Sequence, residues 1–423
     1  MNLDQIFGAE IMARCDALAQ HTEEPGRLTR TYLTPVQRAA ADTLMGWMVE
    51  AGMSARIDEA GNVVGRYESN RTSDQAGANP AAKTLLTGSH FDTVVNAGKY
   101  DGNYGVIAPI ACVKALNAQN IRLPYAIEVI GFAEEEGVRY KTTMMGSKAI
   151  AGTYDIKVLG ITDRAGISVA EAMRAYGLDP QAVTQAARKR GDVLGFVEIH
   201  IEQGPVLLNE GLGVGTVTSI AGVYRFQAVV TGQAGHAGTT PMHMRRDAGA
   251  AAAEMIAAIE RYCAAESYRA EGGVVGTVGQ LNVPGGAINV IPGACEFSID
   301  LRSGNDATRH SIWRQLEPEL HAIAKRRHVE LSITNTLDLA AAPCAPQLMD
   351  KVDAAIVRAT GAPARRLPSG AGHDAMAMAA LCPQAMIFIR CGNGGISHNP
   401  LETITEADAR LGAQVLYDVL RSF

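Results

Sequence analysis

The stretch Ala126-Ile127-Glu128-Val129-Ile130-Gly131-Phe132-Ala133-Glu134-Glu135-Glu136-Gly137 decides how this chain is read. A short apolar run stops at three consecutive carboxylates and a glycine. The pattern predicts a strand over 126–132 whose end delivers acidic groups at a turn. Two other runs behave alike. Thr84-Leu85-Leu86 leads into Gly88-Ser89-His90-Phe91-Asp92-Thr93, and a strand predicted over 197–202 carries His200 and Glu202 on one face. A helical pattern over 105–118 separates the first two strands. Strands alternating with helices predict an α/β architecture, an open twisted sheet flanked by helices, with functional groups at the strand carboxyl ends.

Outward from this stretch, apolar residues Ile6, Ile11, Met12, Leu18, Leu44, Trp47 and Met48 recur at helical spacing. A strand is predicted over 62–67, and the polar stretch 69–80 reads as a surface loop. Near Gly211 the character changes. A β-like alternation over 225–231, an Ala-rich helix over 245–265, strands over 273–281 and 294–301, and a helix over 307–326 describe a compact α+β unit. The α/β pattern then returns, with a strand over 385–390 and a helix over 406–422. The expected organisation is a discontinuous domain, 1–211 and 330–423, interrupted by a smaller inserted domain, 212–329.

At 423 residues the chain is long enough for two cores. A net charge of −6 without clustered Lys and Arg argues against nucleic acid and membrane surfaces as partners. The basic run Arg188-Lys189-Arg190 stops at Gly191-Asp192 and reads as a solvated helix end. The seven cysteines are odd in number and lack any C-x-x-C spacing, so reduced, buried thiols are expected. The amino terminus has no basic segment leading into an apolar core, and no stretch approaches ~20 apolar residues. A cytoplasmic location is the expectation.

Five side chains in Gly-rich or strand-end settings, His90, Asp101, Glu136, His200 and His398, have the chemistry of metal ligands. Imidazoles and carboxylates suit borderline-soft divalent ions. Two such ions need a shared acidic bridge, which Asp101 is able to supply. Each feature alone is ordinary: consecutive glutamates usually form a solvated turn, and a lone strand histidine is usually satisfied in a polar core. Asp92, two residues after His90, is placed to accept the imidazole N–H and fix the ring.

Six ordered blocks carry a resemblance over nearly the whole chain: His90-x-Asp92; Asp101-Gly102; Glu135-Glu136-Gly137; His200-Ile201-Glu202-Gln203-Gly204-Pro205; Gly235-His236-Ala237-Gly238-Thr239-Thr240-Pro241; and Gly370-Ala371-Gly372-His373-Asp374 with Ile396-Ser397-His398-Asn399-Pro400. The set resembles the M20-type metallohydrolases, in particular the branch of N-carbamoyl-L-amino acid hydrolases, allantoate amidohydrolases and β-ureidopropionases. Histidine at position 200, where related peptidases usually have an acidic ligand, points to that branch.

The resemblance implies two divalent metal ions per subunit, zinc foremost, with manganese, cobalt or nickel as alternatives. It places His90 and His200 on one ion, Glu136 and His398 on the other, and Asp101 between them. Glu135 becomes the general acid and base, with Asp92 and His236 grouped beside it as catalytic. Asn289 joins His236 at the reacting carbonyl, Arg302 takes the substrate carboxylate, and Gln203, Gly372 and His373 are further substrate contacts. The inserted domain becomes a lid and a homodimerisation surface. The implied reaction cleaves the ureido C–N bond of an N-carbamoyl-L-amino acid or allantoate-like ureido acid, releasing ammonia and carbon dioxide. A peptidase or N-acyl amino acid deacylase built on the same machinery is the alternative. A catalytically silent relative would have lost Glu135 or a ligand, and all are present.

Overall fold

A computed structural model describes residues 3–70, 83–267 and 273–423. Most of the loop expected over 69–80 lies outside the described residues. The chain divides into two compact units: a larger one, Met1–Thr218 with Cys344–Leu367 and Gly372–Phe423, and a smaller one, Ser219–Pro343 with Pro368–Ala371. Among the described residues no helix is long and apolar enough to cross a membrane.

The elements of the larger unit before the insertion are α1 (Ile11–Leu18), α2 (Pro35–Glu50), β1 (Ser54–Ile57), β2 (Val63–Tyr67), β3 (Thr84–His90), α3 (Asn103–Ala118), β4 (Ala126–Phe132), β5 (Val193–Ile201) and β6 (Val214–Ile220). Those of the smaller unit are β7 (Gly222–Thr231), α4 (Ala248–Ser267), β8 (Val274–Thr277), β9 (Leu281–Asn282), β10 (Ala294–Ser303), α5 (Asp306–Arg326) and β11 (Glu330–Leu339). The chain then returns with α6 (Pro346–Thr360), β12 (Gln384–Ile389) and α7 (Glu406–Leu420).

The larger unit's sheet runs β1-β2-β4-β3-β5-β12-β6. Its central four strands, β4, β3, β5 and β12, are mutually parallel. Parallel strands are covered on both faces and therefore read as nearly continuous apolar runs, and β3 and β4 are buried along their whole lengths. Helix α3 is apolar on all sides because it packs against β3, β5, α1 and α7 at once. Caps fix where helices begin: Thr34 accepts the Gln37 N–H ahead of Pro35 at α2, and Thr405 with Asp408 forms a capping box at α7. Register aligns His90 with Phe132 and His200 with Phe388. The carboxyl ends of these parallel strands therefore meet at one edge of the sheet, where open α/β sheets place their sites.

The smaller unit is an antiparallel sheet in the order β9-β10-β7-β11, with β8 also paired to β10. Along β10, Cys295, Phe297, Ile299 and Leu301 are buried, while Ser298, Asp300 and Arg302 alternate onto the other face. Helices α4 and α5 complete this core, with Trp313 stacked on Phe226 at 3.8 Å. The unit ends later than the 329 expected from sequence. Strand β11 pairs along the length of β7 and so belongs to this sheet, but its Thr- and Asn-rich alternation gives no apolar run to signal it. The unit also begins later than 212, since β6 pairs with β12 of the larger sheet through Val217.

Arg188 corrects another expectation. It is no solvated helix end: its Nε donates to the buried Glu128 at 2.9 Å, and Arg66 reaches the same carboxylate at 3.0 Å. The seven cysteines are buried free thiols.

Candidate metal centre

Three of the five expected ligands come from strand ends or the turn after one, the fourth from the turn before a helix, and the fifth from a bend late in the chain. His90 is the last residue of β3, His200 lies near the end of β5, and Glu136 follows β4. Asp101 precedes α3, whose amino terminus favours a negative charge. Gly102 between them is obligatory on two counts: its φ is +64°, and a Cβ there would lie 2.4 Å from the His90 ring. His398 itself adopts a left-handed φ of 55°, as does Gln203. For such residues this conformation is uncommon and is often kept where a site demands it.

Ligand-type atoms of His90, Asp101 and His200 lie within 4.8 Å of one another, as do those of Asp101, Glu136 and His398. Asp101 belongs to both groups. Its Oδ1 lies 3.6 Å from His90 Nε2 and 3.2 Å from His200 Nε2, while Oδ2 lies 3.2 Å from His398 Nε2. Glu136 Oε1 is 3.6 Å from that same His398 nitrogen. Glu135 joins His90 and Glu136 in a further group of the same compactness.

The hydrogen bonds test whether a cation fits. His90 Nδ1 meets the Asp92 carbonyl at 3.1 Å, and His200 Nδ1 meets the Ile201 carbonyl at 2.9 Å. A carbonyl only accepts, so each Nδ1 carries a proton, which leaves each Nε2 facing Asp101 to hold either a second proton or a metal ion. Asp101 Oδ1 is buried and, among the described residues, receives no hydrogen bond. A buried carboxylate oxygen facing two imidazole nitrogens needs positive charge beside it, which protons on His90 and His200 supply in the metal-free chain and a divalent ion would supply in their place.

The electrostatics agree. Against its own burial, the imidazoles of His200, His398 and His90 hold the Asp101 carboxyl well below the usual range. Asp101 in turn holds His398 up to about 9, and burial pushes Glu136 up to about 7 with Asp101 adding to it. Burial, with Glu136 and Asp374 contributing, also raises Glu135 well above a normal carboxylate.

Asp92 does more than its position suggested. His90 bonds its backbone carbonyl, while the carboxylate lies 3.5 Å from the ring. That carboxylate instead accepts the backbone N–H of Glu135 at 3.1 Å and of Glu136 at 3.2 Å, fixing the turn that presents both side chains. Gln203 donates Nε2 to Asp101 Oδ2 at 3.0 Å and to Ser397 at 3.2 Å. A side chain added at Gly372 would lie 3.9 Å from Glu135 Oε1, so this glycine leaves space beside the acid. His373 is buried with its ring edge-on to His200 at 4.5 Å, and burial together with His200 keeps it well below the ordinary imidazole value.

Two supporting residues escaped the sequence reading. Glu402 accepts the N–H groups of Tyr100 and Asp101 through Oε1 and the Ser397 hydroxyl through Oε2, tying the Asp101 turn to the His398 turn. It stands four residues after His398, and that proximity was the one signal available. Arg30, fully buried, donates to the carbonyls of Phe91, Leu18 and His21 and to Asn103 Oδ1, clamping the segments beside His90 and Asp101. A single arginine far from any motif carries no such signal.

Within the smaller unit, His236 pairs with Val290 on two short strands, and the neighbouring Asn289 carbonyl accepts the Ala237 N–H at 3.0 Å. His236 and Asn289 are thereby brought together on exposed backbone. Arg302 lies on the polar face of β10, its fork on Asp300.

Comparison with known proteins agrees with this geometry. Residues 86–422 match peptidase family M20/M25/M40. The N-carbamoyl-L-amino acid amidohydrolase of Geobacillus stearothermophilus is 42% identical over 413 residues, 97% of each chain. The allantoate deiminase of Arabidopsis thaliana is 38% identical over 444 aligned residues, 99% of this chain and 82% of that one. The crystal structure of a hydantoinase/carbamoylase family amidase from Burkholderia multivorans superposes with a TM-score of 0.89 at 30% identity, covering 98% of this chain and 97% of that one. The chain thus belongs to peptidase family M20/M25/M40, a metal-dependent family, and is a hydrolase of amide carbon–nitrogen bonds.

Proposed function

We propose that the chain hydrolyses the ureido C–N bond of an N-carbamoyl-L-amino acid or an allantoate-like ureido acid, releasing ammonia and carbon dioxide, with two divalent cations per subunit. The observation that carries this reading is the position of Asp101, with one oxygen facing His90 and His200 and the other facing His398 beside Glu136. One carboxylate serving two ligand sets suits a pair of ions sharing a bridge. The names of the relatives, amidohydrolases of carbamoyl amino acids and an allantoate deiminase, supply the non-peptide substrate class.

Cations held there would supply Lewis acidity towards the ureido carbonyl and towards water. Glu135 takes the proton of the attacking water and returns it to the departing nitrogen. Its burial, which raises the carboxyl, suits a group that must hold a proton between those two moments. Asp92 keeps Glu135 on station by binding its N–H. His236 and Asn289 offer donors for the oxyanion, and the Arg302 fork suits a substrate carboxylate.

The deciding assay measures ammonia release from N-carbamoyl-L-amino acids, allantoate and 3-ureidopropionate, and in parallel the free amino acid released from dipeptides and N-acyl amino acids. Turnover of a ureido acid supports the proposal. Turnover confined to the dipeptides or acyl compounds would replace it with the peptidase or deacylase reading.

A further inference from the structure

The polar face of the smaller unit's sheet bears a cavity of about 690 Å³, walled in part by Arg225, Gln227, Ser298, Asp300, Arg302 and Gly370. Arg302 donates Nε to Asp300 Oδ1 at 2.7 Å, Nη2 to Asp300 Oδ2 at 3.2 Å, and Nη1 to the Gly370 carbonyl at 2.8 Å. Asp300 Oδ2 also accepts Arg225 Nε at 2.8 Å. Two guanidinium groups therefore share one carboxylate. Burial works to raise the Asp300 carboxyl, but Arg302 and Arg225 hold it below the usual range, so it is charged at neutral pH.

A guanidinium grips a carboxylate most strongly with two parallel N–H groups. Asp300 already occupies one such pair on Arg302, as a ligand carboxylate would. An incoming carboxylate must either displace Asp300 from that edge or use the remaining N–H groups beside a like charge. Asp300 opposes it by both routes. Only a carboxylate whose parent molecule is also anchored elsewhere overcomes this opposition, because the second attachment raises its effective concentration at the fork.

We propose that Asp300 is a specificity-determining residue: it suppresses binding of free carboxylates and inorganic anions at Arg302 and reserves the fork for the carboxylate of an otherwise anchored substrate. The proposal rests on the reading of Arg302 as the carboxylate clamp.

The test is Asp300→Asn, which keeps the shape and one acceptor oxygen but removes the charge, with Asp300→Ser as a second variant should the amide disturb the strand. Acetate and sulfate should inhibit the metal-loaded variant about tenfold more strongly than the wild type, the scale of one partly screened unit charge. The ratio of kcat/KM for an N-carbamoyl amino acid to that for its carboxamide analogue should rise by a similar factor. Both gains should shrink as potassium chloride is raised, which a purely structural defect would not do. A higher KM for the acid, or unchanged anion inhibition, overturns the proposal. Arg302→Lys, assayed in parallel, separates the two readings. If it discriminates acid from amide as the wild type does, the clamp is wrong and the role of Asp300 falls with it. If it loses discrimination while Asp300→Asn behaves as wild type, the clamp stands and Asp300 alone is misassigned.

Discussion

Glu402 Oε1 accepts the backbone N–H of Asp101 at 3.1 Å, joining positions 301 residues apart. The carboxylate orients the one residue common to both ligand groups, and through Ser397 it also steadies the His398 turn. Glu402→Ala should weaken metal binding roughly 10- to 100-fold, the range typical of groups that orient ligands. Glu402→Gln, which keeps an acceptor oxygen, should lose less. Titration of the metal-free protein with zinc or manganese checks both, and equal affinity in all three proteins would remove Glu402 from the site's support.

Glu135→Gln removes the proposed proton carrier without removing a ligand. Its kcat should fall roughly 10² to 10⁴-fold, while elemental analysis finds the wild-type metal content. Retention of most of the turnover would transfer the role to Glu134.

Metal uptake should release protons. In the metal-free chain the bond to Asp101, reinforced by Glu136, holds His398 up to about 9 against its burial, and Glu136 itself sits at about 7. At neutral pH His398 carries a proton and Glu136 is partly protonated, and a cation must displace both shares. Apparent affinity should therefore fall as pH is lowered from 9 towards 6. Calorimetric titrations in two buffers of different ionisation enthalpy count the protons, and a count near zero at pH 7 contradicts the prediction.

Arg30→Met should destabilise the larger unit. The buried Phe91 carbonyl and Asn103 Oδ1 would each lose the arginine as donor, and the Leu18 and His21 carbonyls would lose one hydrogen bond apiece. With unsatisfied buried groups costing about 1–3 kcal/mol each, partial relaxation still leaves a loss of roughly 3 kcal/mol. A lower urea midpoint for the variant, followed by tryptophan fluorescence, is the readout.

The sequence exposed what carries a repeating or clustered signal. The strand over 126–132 was legible to its ends because seven buried residues bounded by a turn leave no helical alternative. His90, Asp101, Glu136, His200 and His398 stood out as candidates because their residue types fall at strand ends and turns, and the structure brings them into overlapping groups. Strand β11 was not legible, since its exposed, polar alternation resembles a loop. Nor did the sequence reveal that the Asp92 carboxylate turns to the Glu135 and Glu136 N–H groups. Backbone partners leave no trace in residue identity, and the same holds for Glu402 and Arg30.

Strand β12 lies between β5 and β6, yet more than 160 residues separate it from either in synthesis. While the ribosome works through the inserted unit, β5 and β6 have no neighbour on their facing edges, and open edges invite pairing with other chains. The inserted unit carries its own core and is nearly complete well before the sheet can close. The newborn molecule thus passes through a stage in which the core of the inserted unit is nearly finished while the larger sheet still has open edges. His398 emerges last of the five proposed ligands, after the whole inserted unit, so a chain cut short before it lacks one member of the proposed set.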